Sequence, residues 1–225
     1  METAATGPTA AAEERPGLRE RKKQRTHDAL LRAALHLFTT QGYEATTVDE
    51  IAEAVDVSQR TFFRYFAGKE EAVLAVLDLT QEHFLAAVRA RPAHEAPLEA
   101  MRNAVLEGWD ALGEAVEQVV PVELYLQAYG MVESTPALLA AHLRRSDEVG
   151  REIERVIAER EGLDVDSDPR PRVAVAVFAG VMRVTERLWA LGGDLSMDAM
   201  RSLTTAHLDA LRPSLAEKWR TGRSG

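Results

Sequence analysis

The sequence predicts an all-α protein of about nine helices, and three observations lead there. Apolar residues recur at helical spacing through nearly every long segment. Helix start and stop signals punctuate those segments: Thr47, Ser58 and Thr135-Pro136 before helical runs, Gly42 and Gly68 after them. No run of strand period extends beyond a few residues. VAVAVF at 173–178 has strand character, but it lies inside a 20-residue segment without breakers.

Residues 1–17 are rich in Ala, Thr, Gly, Pro and Glu and offer no face to bury, so a disordered tail is expected. The first helix should run from about Leu18 to Gln41, with Leu30, Ala33, Ala34, Leu37 and Phe38 on one face. Gly42 then suits a left-handed cap. Thr47-Val48-Asp49-Glu50 is a capping box, in which hydroxyl and carboxylate satisfy backbone donors reciprocally, and it opens the second helix. Val48, Ile51, Ala52 and Val55 form that helix's inner face, and Val55-Asp56-Val57 is a turn. Ser58 caps a third helix from Gln59 to about Phe66, and Gly68 breaks it. A fourth is expected from about Lys69 to Arg89.

Pro92 and Pro97 bracket a loop. The next helix, about Leu98 to Val119, presents Met101, Val105, Trp109, Leu112 and Val116, and Pro121 interrupts it. Helices follow at about 122–132, from the Ser134-Thr135-Pro136 signal to about Glu161, at 172–191, and from about Ser196 to Leu211 with an end near Pro213. Residues 18–68 form a helix-turn-helix unit, residues 69–213 a larger helical domain, and residues 214–225 a C-terminal tail.

The chain has 225 residues, no cysteine and a net charge of −9. Disulfides, thiolate metal sites and cysteine nucleophiles are therefore excluded. No apolar run approaches the ~20 residues of a membrane helix, and the N-terminus lacks a secretory apolar core, so a cytoplasmic protein without membrane association is expected. The charge is unevenly placed. Residues 1–70 balance ten basic against eleven acidic side chains, so most of the acidity lies beyond them. Arg15, Arg19, Arg21, Lys22, Lys23 and Arg25 face a lone acid, Glu20, just before the helix-turn-helix. Such a cluster is either a solvated helix start or an arm for phosphates; its position favours the arm, with Arg21, Lys22, Lys23 and Arg25 as contacts.

The third helix carries the chemistry. Phe62 and Phe66, four apart, should pack inward, which turns Gln59, Arg60, Thr61, Arg64 and Tyr65 outward. Gln can pair with the adenine edge, Arg with guanine, and the Thr methyl can meet the thymine methyl. Tyr65 and Lys69, toward the C-terminal end, suit phosphates, as do Thr47 and Ser58 at helix N-termini. The partner expected is double-stranded DNA, although such a unit can also serve structure alone or contact protein.

The segment from about Arg25 to Leu79 resembles the DNA-binding domain of the TetR family of bacterial regulators. The matching residues are Phe38, Gly42, Tyr43, Thr46, Thr47, Val48, Ile51, Ala52, Val57, Ser58, Thr61, Phe62, Tyr65, Phe66 and Lys69. The resemblance implies a homodimer whose first three helices bind a palindromic operator. It also implies a larger domain with a small-molecule effector pocket and a dimer interface from the last two helices. Repression, relieved by the effector, is the usual outcome. The family's base contacts fall on Gln59, Arg60 and Thr61, with Arg64 beside them. Its phosphate contacts fall on Thr47, Ser58, Phe63, Tyr65 and Lys69. The fourth helix, touching both regions, is the implied lever. Three departures are visible: Phe63 where Tyr is frequent, Asp56 where Gly is common, and Arg60 in place of a small residue.

Phe84, Met101, Trp109, Tyr125, Tyr129, Phe178, Met182 and Trp189 are the residue types that line apolar pockets, and equally those that fill cores. In helix 172–191, Ala174, Ala176, Ala179 and Gly180 permit close helix approach, and Val173, Val177, Val181 and Val184 supply apolar contact. That face suits a dimer, though burial within its own subunit would satisfy it too.

No cofactor or metal is expected. Asp164, Asp166 and Asp168 mimic half a calcium loop, but Pro169 and Val175 stand where Gly and Glu are needed. The six histidines show no i, i+4 pairing. No phosphate loop, dinucleotide fingerprint or nucleophile elbow occurs, so no catalytic residue is assigned. An all-helical enzyme, an activator and an architectural DNA-binding protein are the alternatives; the −9 charge disfavours the last.

Overall fold

The structure, a computed structural model, describes residues 17–215, with the side chains of 110–112, 114–115 and 212–215 outside the description. The tails expected before Gly17 and after Leu215 also lie outside the described residues, as does the Leu112 side chain. Nine helices occur among the described residues: α1 (Leu18–Gln41), α2 (Val48–Glu53), α3 (Gln59–Phe63), α4 (Lys69–Ala90), α5 (Pro97–Val119), α6 (Val122–Ser134), α7 (Pro136–Glu161), α8 (Arg170–Ala190) and α9 (Met197–Leu215). The expected order holds throughout.

Three boundary differences have a clear physical reason or consequence. α3 stops at Phe63, three residues early. There Arg64 N–H bonds Thr61 O at 3.2 Å and Tyr65 N–H bonds Phe62 O at 2.8 Å, three-residue spacings that tighten the turn and drop Phe66 into the core. α8 begins at Arg170 because Pro171 sits within the first turn, where a missing N–H costs nothing. α9 runs past Pro213 to Leu215, so that proline does not end it.

Local signals explain the early turns. Thr47 Oγ1 accepts from Glu50 N–H at 3.2 Å while Glu50 Oε2 accepts from Thr47 N–H at 2.8 Å, completing the capping box. Asp56 adopts φ 54°, the left-handed conformation that Asp tolerates better than most residues.

Two buried clusters organise the packing. The first joins Leu30, Leu35, Phe38, Ile51, Phe62 and Phe66 to the first half of α4, then continues through α6 to Trp189. The sequence boundary at 68/69 therefore crosses a continuous core. The second cluster gathers Val88, Met101, Ile157, Val175, Phe178 and Leu208 around the second half of α4. α4 spans both. No helix among the described residues is long and apolar enough to cross a membrane.

Candidate nucleic-acid interface

Burial of one face of α3 sets what the other presents. Phe62 and Phe66 are buried, their rings 5.5 Å apart, while Gln59, Arg60 and Arg64 are exposed and Thr61 and Tyr65 half-buried. Ser58 Oγ accepts from Thr61 N–H at 3.2 Å and lies 3.0 Å from Thr61 Oγ1. Both hydroxyls are thus engaged locally, which leaves the Thr61 methyl as that residue's free group. Arg60 makes no ion pair or side-chain hydrogen bond among the described residues, so its guanidinium carries no internal partner to displace. Arg64 lies over the Tyr65 ring, 5.1 Å from its centroid.

Phe63 is half exposed and meets Phe62 edge-on at 5.6 Å. Thr47, exposed at the start of α2, uses its hydroxyl in the capping box, which holds the Glu50 carboxyl below the usual carboxylate range. Lys69 is half-buried, and its ammonium points at backbone carbonyls of the α1–α2 turn.

The basic arm is the exposed first turns of α1. Arg21, Lys22, Lys23 and Arg25 all face solvent, with Lys23 3.6 Å from Glu20. His27 packs its ring 4.9 Å from Phe66 and 6.3 Å from Tyr65, so the arm ends beside the C-terminal end of α3. Arg15 falls outside the described residues.

The expected pocket residues divide between the two cores. Phe84 and Phe178 stack at 5.4 Å with planes 7° apart, and Met101 and Met182 pack in the same cluster. Tyr125, Tyr129, Trp189 and, half-buried, Trp109 belong to the other. A groove of about 740 Å³ opens between the starts of α5 and α8 and the ends of α7 and α9; of the eight expected pocket residues, only Phe178 lines it. In the first core, Tyr129 Oη and Trp109 Nε1 are buried without hydrogen-bond partners among the described residues.

Sequence reasoning missed a polar cluster beside those rings. Arg183 donates to both carboxylate oxygens of Glu133, one at 2.8 Å, and lies 3.9 Å from Glu186. Burial pushes the Glu186 carboxyl up to about 7. The Tyr129 phenol interacts electrostatically with it but makes no hydrogen bond of normal geometry, and burial raises that phenol well above its usual range. Buried His142 sits 5.9 Å from the Tyr129 ring, its pKa lowered by desolvation. Arg32 was also missed: it donates from α1 to Val119 O at the end of α5, at 2.9 Å. No spacing in the sequence signals contacts between such distant residues.

On α8, Val173 and Val184 are 58% and 53% exposed, continuing into exposed Leu188 and Leu191. Val177 is half-buried, and Val181 packs partly into the second core. The four valines therefore do not share one environment. In the Asp164 loop, that carboxylate accepts from Ser167 Oγ and Asp166 N–H, and Asp168 pairs with Arg170. No group of three or more His, Cys, Asp or Glu among the described residues is arranged to hold a metal ion.

Known proteins resemble this arrangement. Residues 30–76 match the model of bacterial regulatory proteins of the tetR family, and residues 95–216 match that of the MftR C-terminal domain. The chain is 48% identical to the HTH-type transcriptional regulator TcmR of Streptomyces glaucescens over 205 residues, 91% of each protein. Its fold resembles NalD, the secondary repressor of the MexAB-OprM multidrug efflux pump in Pseudomonas aeruginosa, with a TM-score of 0.59 at 17% identity over 88% of this chain and 100% of that one. It also resembles SmeT, the repressor of the Stenotrophomonas maltophilia multidrug efflux pump SmeDEF, with a TM-score of 0.57 at 17% identity over 85% and 91% of the two chains.

Proposed function

The chain belongs to the TetR family of bacterial regulatory proteins, and from that premise we propose that it is a repressor which binds a palindromic operator as a homodimer and leaves it when a small-molecule effector binds. The observation that carries the DNA reading is α3, anchored by Phe62 and Phe66 with Gln59, Arg60, Thr61 and Arg64 available on its open side. Those side chains read base edges. Thr47, Ser58, Phe63, Tyr65 and the arm residues Arg21, Lys22, Lys23 and Arg25 follow the phosphates.

The exposed valines and leucines of α8 support dimerisation, because an apolar strip of this kind calls for cover. Pairing two recognition helices lets them read two half-sites together. The buried Trp109 indole N–H, without a hydrogen-bond partner among the described residues, supports an effector site among α5, α6 and α8, since buried donors normally find a partner. A ligand that prefers a conformation with displaced recognition helices must lower DNA affinity, and its own affinity must fall reciprocally on DNA.

Arg60→Ala tests the base assignment. In a salt-controlled anisotropy titration it should cost about 1–3 kcal/mol against the cognate duplex and relax preference at one base pair. Equal binding by the wild type and the variant would remove Arg60 from the reading set.

A further inference from the structure

Lys69 is more fully engaged within the protein than a residue reserved for phosphate would be. Its ammonium donates to Tyr43 O and Thr46 O, each at 2.8 Å, and points at Glu44 O at the long limit of 3.5 Å. It also stands 4.7 Å from the centroid of the Tyr43 ring. An ammonium has three donors and no acceptor, so these carbonyls and the ring face occupy its directions. The chain it grips is the α1–α2 turn. There Gly42 takes φ 95°, and the buried Thr46 hydroxyl donates back to Gly42 O at 2.8 Å. The next residue, Thr47, caps α2. Without the ammonium, the carbonyls of Tyr43 and Thr46 would lose their shared donor.

We propose that Lys69 is a positioning residue: the first residue of α4 clamps the turn that launches α2, and so fixes the helix-turn-helix relative to α4. Its ammonium serves the turn and does not reach phosphate. This deepens the DNA-binding reading above and rests on it for its consequence in DNA affinity. It also gives the fourth helix a physical grip on the recognition unit, since a shift of the α4 start pulls Thr46 and Thr47, and α2 packs on α3.

Two measurements on the full chain test the clamp. The first compares wild type, Lys69→Met and Lys69→Arg on one duplex recovered by selection from random DNA, across a series of salt concentrations. The clamp predicts an affinity loss of about ten-fold for Lys69→Met at every salt concentration, with an unchanged slope of log affinity against log salt. It also predicts faster amide exchange over residues 46–52 and partial rescue by Lys69→Arg, which can still donate to carbonyls. A slope smaller by about 1.8, that is about 0.9 for each of the two protomers on the duplex, with unchanged exchange would mean a lost phosphate contact and would overturn the proposal.

The second measurement needs neither variant nor DNA. Under reductive methylation of the free wild-type protein, Lys69 should react much more slowly than the exposed Lys22 and Lys23. Methylation at their rate would overturn the clamp even if Lys69→Met failed to fold. A chain that bound no duplex at all would remove the functional reading, and the methylation result would still decide the clamp.

Discussion

At the starts of α2 and α3, polar side chains serve their neighbours in sequence: Thr47 pairs with Glu50 and Ser58 with Thr61. From α4 onward, several polar side chains reach partners far along the chain. Arg183 reaches Glu133 across 50 residues, Arg145 reaches Asp78 across 67, and Gln81 reaches Ser146 across 65. The difference teaches how the two regions divide their work. Local caps fix short helices without using their open faces, so Gln59 and Arg60 of α3, and Arg64 just after it, stay exposed. Distant pairs lock long helices to each other and hold charge inside, where burial moves its titration.

The largest expected effect tests whether the regions share a core. Phe62→Ala should destabilise the chain by about 3–5 kcal/mol in denaturant unfolding, because a fully buried ring leaves a cavity in the cluster that runs from α1 through α4 into α6. A separate early transition of the N-terminal helices, with the rest unmoved, would show that the shared core does not couple them.

A smaller effect isolates the half-buried Glu186 carboxyl of the C-terminal domain. The Glu186 carboxyl rises from its ordinary 4.5 to about 7 on folding, so the native state holds its proton more tightly than the unfolded chain. Its contribution is fully present below about pH 4.5 and is lost as pH rises through 7. Glu186→Gln should therefore match the wild type near pH 4.5 and exceed its stability at pH 8, by about 1–3 kcal/mol. Chemical unfolding at both pH values checks this; an equal difference at each would contradict it. His142, whose pKa burial lowers, acts at the other end, losing stability as pH falls.

The smallest effect belongs to the local caps. Thr47→Ala should cost about 1 kcal/mol in thermal unfolding, the usual value of an N-cap. A loss several times larger would mean that the hydroxyl supports more than the start of α2.

The same contrast explains what was legible. The capping box and the Ser58 cap depend on residues within a few positions of one another, so reading the string recovers them. The inward ring pair Phe62/Phe66 follows from spacing alone. Even there α3 closes early, because three-residue hydrogen bonds tighten the turn where Phe66 enters the core. In the C-terminal domain, helical spacing located every helix but could not say which rings meet. Phe84 and Phe178 belong with each other, and Tyr129 belongs with Trp189. The Arg183–Glu133 pair and the Lys69 grip on the α1–α2 turn exist only once distant helices are packed.

Selection of bound duplexes from a random pool by the full chain tests the central claim most directly. The account predicts enrichment of an inverted repeat, with two half-sites set one or more helical turns apart. Recovery of no motif beyond what scrambled competitor DNA yields would contradict it.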